Sequence, residues 1–109
     1  MVKSEMIGGR NLKIDLEFPF IKETYKLKSG IYSEGTILQL NAETGELEPL
    51  TAAGTVHSIL SGDYANETAS FSAVVYLTGT FNKQELIIPA NTTVDSFKEK
   101  LREKSIFIR

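Results

Sequence analysis

The stretch spanning residues 72–89, SAVVYLTGTFNKQELIIP, constrains the fold more than any other part of the chain. Two apolar, β-branched segments, residues 73–77 and 85–88, flank Gly79-Thr80-Phe81-Asn82, and Pro89 closes the second. β-Branched and aromatic residues suit a pleated, buried surface, glycine permits a sharp bend, and proline withholds a ladder donor. The expectation is a pair of short buried strands at the centre of a small β-domain. Gly79, Thr80 and Phe81 form the turn that organises the fold, and Pro89 is its stop.

The segments before it read in the same way. Residues 1–10 are polar and glycine-containing without periodicity, a flexible leader. From there the pattern sharpens: Leu12, Ile14, Leu16 and Phe18 alternate with Lys13, Asp15 and Glu17, which sets apolar side chains on one face of a strand and charges on the other. Pro19 ends that strand or marks it as an edge. Residues 21–27 alternate less cleanly and run into Ser29-Gly30. Residues 36–40 and 46–50 form a hairpin around Asn41-Ala42-Glu43-Thr44-Gly45, with Gly45 available for a positive φ. Residues 55–60 are a further strand and residues 64–68 a loop.

One helix follows Pro89. Thr92 or Thr93 is positioned to cap it, Asp95 sits in its first turn, and Val94, Phe97 and Leu101 share a face. Residues 105–109 form a closing strand or a docked tail. The fold class is mainly β with one short C-terminal helix, in a single domain over residues 11–109.

Size and charge bound what such a domain can do. A chain of 109 residues buries roughly two thirds of its unfolded surface, so association with copies of itself or with a partner adds useful stability. Twelve Lys and Arg against 14 Asp and Glu give a net charge of −2, no field for nucleic acid. No cysteine is present, so disulfides and thiolate sites are excluded. No run approaches the roughly 18 apolar residues of a membrane span, and the N-terminal residues lack the apolar core of a signal peptide. Asn66-Glu67-Thr68 and Asn91-Thr92-Thr93 match the glycosylation acceptor pattern but read as polar loops.

Chemistry is sparse. The single histidine, His57, lies between Val56 and Ser58 in an apolar strand; a lone histidine there is more often packed than catalytic. As strand neighbours His57 and Ser58 are expected on opposite faces, so they do not pair as base and nucleophile. Glu46 and Glu48 share a face with Glu43 at the hairpin tip, but a hairpin edge supplies neither burial nor convergent oxygens, and charges there discourage edge pairing. The basic end of the helix is interleaved with Asp95, Glu99 and Glu103 and reads as a solvated face. No catalytic, cofactor-binding or metal-ligating constellation emerges, so the expected protein is not an enzyme.

The order of these segments carries a resemblance. A hairpin of Thr-Ile-Leu-Gln-Leu-Asn, a turn and Glu-Leu-Glu-Pro-Leu is followed by a Gly-Thr-Val strand and a polar loop. Then come Tyr76-Leu77-Thr78-Gly79-Thr80-Phe81, a short apolar strand ending in Pro89, a polar helix and an apolar C-terminal strand. Over about residues 35–109 this resembles the head decoration proteins of tailed phages, of the phage lambda type. The resemblance implies a compact β-clip-like domain that assembles as a homotrimer. It would bind the major capsid protein on the capsid exterior at three-fold positions and clamp the shell against internal DNA pressure.

It also implies a protein made in the bacterial host cytoplasm and carried on the virion, with no cofactor, nucleic acid, membrane or small-molecule substrate. In that family an N-terminal arm adds a strand to the capsid protein's sheet. The lambda-type arm is rich in small residues and proline, whereas residues 11–20 here are charged and alternately apolar. Leu12, Ile14, Leu16 and Phe18 are therefore either the capsid-binding arm or an extra strand of the domain's own sheet. Two rivals remain: another phage structural module of head fibre or tail, and a small β-fold enzyme with a site built across subunits from Glu43, Asp63 and His57.

Overall fold

The computed structural model describes residues 20–109, and its longest element is β7 (Phe71–Phe81). Its sequence, FSAVVYLTGTF, is almost wholly β-branched, aromatic or small, and most of its length is shielded on both sides. From Phe71 to Thr78 it pairs antiparallel with β1 (Ile21–Leu27). At Val75 and Tyr76 it pairs with β5 (Ser58–Leu60), and from Gly79 to Phe81 it runs parallel to β8 (Ile106–Ile108). The remaining sheet strands are β3 (Ile37–Leu40) and β4 (Leu47–Pro49).

The strand order β1-β4-β3-β5-β7-β8, with β1 also bonded to β7, closes the first five strands into a small barrel and leaves β8 outside it. The seam between β1 and β4 is narrow. It consists of one parallel pair, Leu27 with Leu47, followed by a Lys28 N–H bond to the Leu47 carbonyl at 2.9 Å.

Each barrel strand contributes to an interior of Leu27, Leu38, Leu47, Leu60, Ala73 and Val75. Their neighbours in the chain, Ile37, Ile59 and Tyr76, are buried as well, on the opposite face. The wall β3-β5-β7 thus has an apolar layer on each side, which is why its strands read as unbroken apolar runs rather than alternations. The outer layer is completed by the C-terminal third: Phe81, Leu86, Phe97, Leu101, Ile106 and Ile108 pack on the wall from outside. A two-stranded flap, β2 (Gly30–Tyr32) with β6 (Tyr64–Asn66), packs Tyr32 and Tyr64 with Phe71 against the barrel interior.

The protein is mainly β with one short helix near the C-terminus, as expected, and the hairpin falls where turn chemistry puts it. Asn41 Oδ1 accepts the Glu43 and Thr44 amides at 2.9 and 3.3 Å, Gly45 has φ +76°, and Gln39 faces Glu48 across the strands. The strand expected over residues 55–60 is shorter, beginning at Ser58, and residues 64–68, expected as loop, begin with β6. The helix opens as a 3₁₀ turn, Val94–Phe97, and continues as α1 (Lys98–Glu103). Neither threonine caps it with its side chain: Thr93 makes no such bond, and the Thr92 hydroxyl donates back to the Pro89 carbonyl at 2.6 Å.

The expected turn at Gly79, Thr80 and Phe81 is corrected. All three lie inside β7, which does not reverse there, and residues 85–88 are not its partner strand. Instead the β1–β7 register slips beside Thr78 and Gly79 adopts φ +145°, so β7 passes from β1 and β5 to β8 without turning back. Reversal comes later, in the 3₁₀ turn Lys83–Glu85, where Asn82 Oδ1 accepts the Gln84 amide at 3.0 Å. Beyond it Ile87 bridges Thr36 in parallel, receiving Ile37 N–H and donating to Gly35. Pro89 follows that bridge rather than a hairpin strand. The leader over residues 1–10 and the arm candidates Leu12, Ile14, Leu16 and Phe18 lie outside the described residues.

Candidate interaction surface

Gly79 and Phe20 form a tightly constrained piece of local geometry. A Cβ added to Gly79 would stand 2.3 Å from Phe20 Cδ1 and 2.6 Å from Cε1, so the phenyl ring lies directly on the glycine backbone. The same ring meets Tyr76 edge-on at 5.8 Å and Phe81 at 5.4 Å, and Tyr76 meets Phe81 at 5.4 Å. Glycine inside a strand marks a place where another group must approach the backbone, and aromatic cover of a strand glycine is a recognised means of fixing a sheet. Gly79 is therefore an organising residue for a reason other than a turn. The next residue adds a polar tie, with Ile21 N–H donating to Thr78 Oγ1 at 3.2 Å.

That anchorage fastens the N-terminal end of β1, and β1 is unusual along its length. Over residues 21–24 it is exposed on both faces, and through Lys26 its only paired neighbour among the described residues is β7. A strand with one partner presents a row of main-chain donors and acceptors on its other edge. Ile21, Lys22, Glu23 and Lys26 form a mixed apolar and charged surface there, with Lys22 Nζ held 5.9 Å over the Tyr76 ring. Elsewhere the exposed large apolar residues Ile31, Leu40 and Ile87 stand on separate elements, a scatter that is ordinary for a surface.

His57, Ser58, Glu48 and Asp63 are engaged in the fold by side-chain hydrogen bonds. His57 precedes β5 rather than lying in it, so strand alternation does not apply, and its Nδ1 sits 3.0 Å from Ser58 Oγ. The expectation that the two point apart is corrected. Ser58 is fully buried, however, so the pair presents no accessible nucleophile. Burial lowers the His57 pKa from its ordinary value of 6.5, and the nearby Lys104 charge lowers it further. Tyr25 of β1 meets the imidazole edge-on at 4.7 Å.

Glu48 accepts Gln39 Nε2 at 2.7 Å and Asn41 Nδ2 at 3.4 Å. The Gln39 bond chiefly holds its carboxyl below the usual range; burial opposes this, and Asn41 and the Lys28 charge assist it. Asp63 Oδ1 accepts the Glu34 amide at 2.7 Å, and Glu43 lies exposed in the hairpin turn. Among the described residues no group of three or more His, Asp or Glu is arranged to hold a metal ion. No helix among them is long and apolar enough to cross a membrane.

Phe20 and Tyr25 are the residues that sequence reasoning missed. The signal for Phe20 was indirect: a glycine amid β-formers at position 79 implies a close neighbour without naming it. Compared with models of known protein families the chain matches none, and no curated protein matches it.

Proposed function

We propose that this protein is a capsid decoration protein of the tailed-phage type, a homotrimer that binds the major capsid protein on the outside of the shell at three-fold positions and cements it. The observation that carries the reading is the mounting of β1. Phe20 and Ile21 fix its N-terminal end to the barrel, while over residues 21–26 no described strand other than β7 pairs with it and residues 21–24 are exposed. A segment of alternating pattern that leads into such a fixed edge is suited to strand addition, in which main-chain bonds give affinity and alternate side chains fill pockets. Three arms on one trimer would raise a modest single contact by avidity. The order of segments over residues 35–109 supports the same assignment.

The test is co-sedimentation of the purified protein with expanded, undecorated lambda-type phage heads, using the full chain and a chain lacking residues 1–17. The full chain should be trimeric by light scattering and pellet with the heads. The shortened chain should keep its circular dichroism spectrum yet remain in the supernatant. A shortened chain that still decorates heads removes the arm from the reading. A full chain that neither assembles nor binds removes the reading itself.

A further inference from the structure

Where Tyr25 of β1 meets His57, the residue that precedes β5, lies a titratable joint. His57 Nδ1 and Ser58 Oγ are 3.0 Å apart, Ser58 is 0% exposed, and among the described residues the serine hydroxyl makes no other side-chain hydrogen bond. A buried hydroxyl needs an acceptor for its proton. The arrangement that provides one has Ser58 O–H donating to an unprotonated Nδ1, with the imidazole proton on Nε2. The opposite tautomer would leave the hydroxyl proton without a partner. On its other side the ring packs edge-on against Tyr25, halfway along the one strand that is joined to β4 by a single residue pair. The His57 amide bonds to the Leu38 carbonyl at 2.8 Å, so the backbone under the ring is fixed to β3.

We propose that His57 is a proton-operated clasp: unprotonated, it holds Ser58 and seats Tyr25 of β1 against the barrel, and protonated, it releases both. Protonation turns Nδ1 into a donor, which orphans the Ser58 proton in a buried site and places a second cation near Lys104. The titratable and charged groups bearing on the ring are Tyr25 from β1 and Lys104 at the end of α1. β3 contributes none, since its residues are Ile, Leu, Gln and Leu, and among the described residues no hydrogen bond or ion pair joins His57 to a carboxylate that would favour the charged form. The lowered pKa agrees in direction with this geometry.

The sign follows from linkage. A base whose folded pKa is depressed stabilises fully above its unfolded value of 6.5, and that stability is lost as pH falls below it, levelling at the folded pKa.

Because His57 is the only histidine in the chain, its imidazole signals in a ¹H–¹⁵N and ¹H–¹³C NMR titration need no assignment. The expected result is the Nε2–H tautomer with a midpoint below 6.5. In Ser58→Ala the midpoint should move upward, because no hydroxyl then loses its acceptor. An Nδ1–H tautomer, a midpoint at or above 6.5, or no response to Ser58→Ala would overturn the proposal.

Amide hydrogen exchange supplies the second readout. Protection of β1 amides, corrected for intrinsic rates, should fall several-fold between about pH 7.5 and about pH 5. The limit for a group opening to 6.5 is about thirtyfold, and the β7–β8 ladder is the internal reference. His57→Asn, whose Oδ1 accepts the hydroxyl at any pH, should abolish the fall. An unchanged fall in that variant, or none in the natural chain, would refute the clasp. Where the variant does not fold, the titration and Ser58→Ala decide.

Discussion

Replacing Gly79 by alanine tests the central geometrical claim. The new Cβ would lie 2.3 Å from Phe20 Cδ1, nearer than any relaxed carbon contact, and the φ of +145° is one that L-residues avoid. Holding a side-chain-bearing residue in a sparsely populated backbone region costs about 1–3 kcal/mol. Displacing Phe20 also forfeits its edge-on contacts with Tyr76 and Phe81, worth about 0.5–1.5 kcal/mol each beyond area burial. The expected loss is therefore about 2–6 kcal/mol, a large share of the 5–15 kcal/mol typical of a domain. Even the lower figure corresponds to a melting temperature reduced by about 10 °C.

Urea denaturation of Gly79→Ala, Phe20→Ala and the double variant separates the two contributions. With Phe20 already removed the clash has no partner, so Gly79→Ala should then cost only the backbone part. The double variant should be more stable than the two single losses imply by about 1 kcal/mol or more. A Gly79→Ala loss under about 1 kcal/mol, or single losses that add within about 0.5 kcal/mol, would refute the reasoning.

Three further outcomes follow from the layers and the hairpin. Leu60→Ala in the barrel interior and Leu101→Ala in the outer layer each remove a fully buried side chain and should each cost about 2–5 kcal/mol by chemical denaturation. Glu48 has a folded pKa below 4.5, so its contribution is present above that value and lost as pH falls through the folded pKa. Glu48→Gln should accordingly flatten the acid limb of a urea-midpoint profile, and an unchanged limb would assign the acid sensitivity to other carboxylates. Phe71→Ala unseats Tyr32 and Tyr64, which lie 6.5 and 5.8 Å from its ring, so exchange protection should fall in β2 and β6 well before the β3–β4 ladder.

What was legible in the chain was what local chemistry determines. The hairpin could be read because Asn41 and Gly45 fulfil local turn requirements, and α1 because Phe97 and Leu101 share a face. The turn assigned to Gly79, Thr80 and Phe81 failed because a glycine among β-formers has two physical causes, a bend and a close approach. The deciding partner, Phe20, is distant in the chain. β6 was hidden for a similar reason: Tyr64, Ala65 and Asn66 pair with residues of β2 far upstream. Strand alternation does not foretell the His57–Ser58 contact, because His57 lies one residue before the strand's start.

These features divide the molecule unevenly. The wall β3-β5-β7 is held from both sides by apolar layers, whereas β1, among the described residues, is held by its ladder with β7, the Phe20 ring, the Leu27 side chain and narrow seam with β4, and the contact of Tyr25 with His57. Opening free energies follow buried apolar contact, so β1 should be the first barrel strand to separate under mild denaturant, its seam with β4 preceding its ladder with β7. A reinforced wall beside a lightly held edge is compatible with the assembly role proposed above. Exchange measured residue by residue across Lys22, Tyr25 and Leu27 would show that order directly. Seam and ladder amides opening together with the wall would mean that the barrel is a single cooperative unit and that β1 is no separate element.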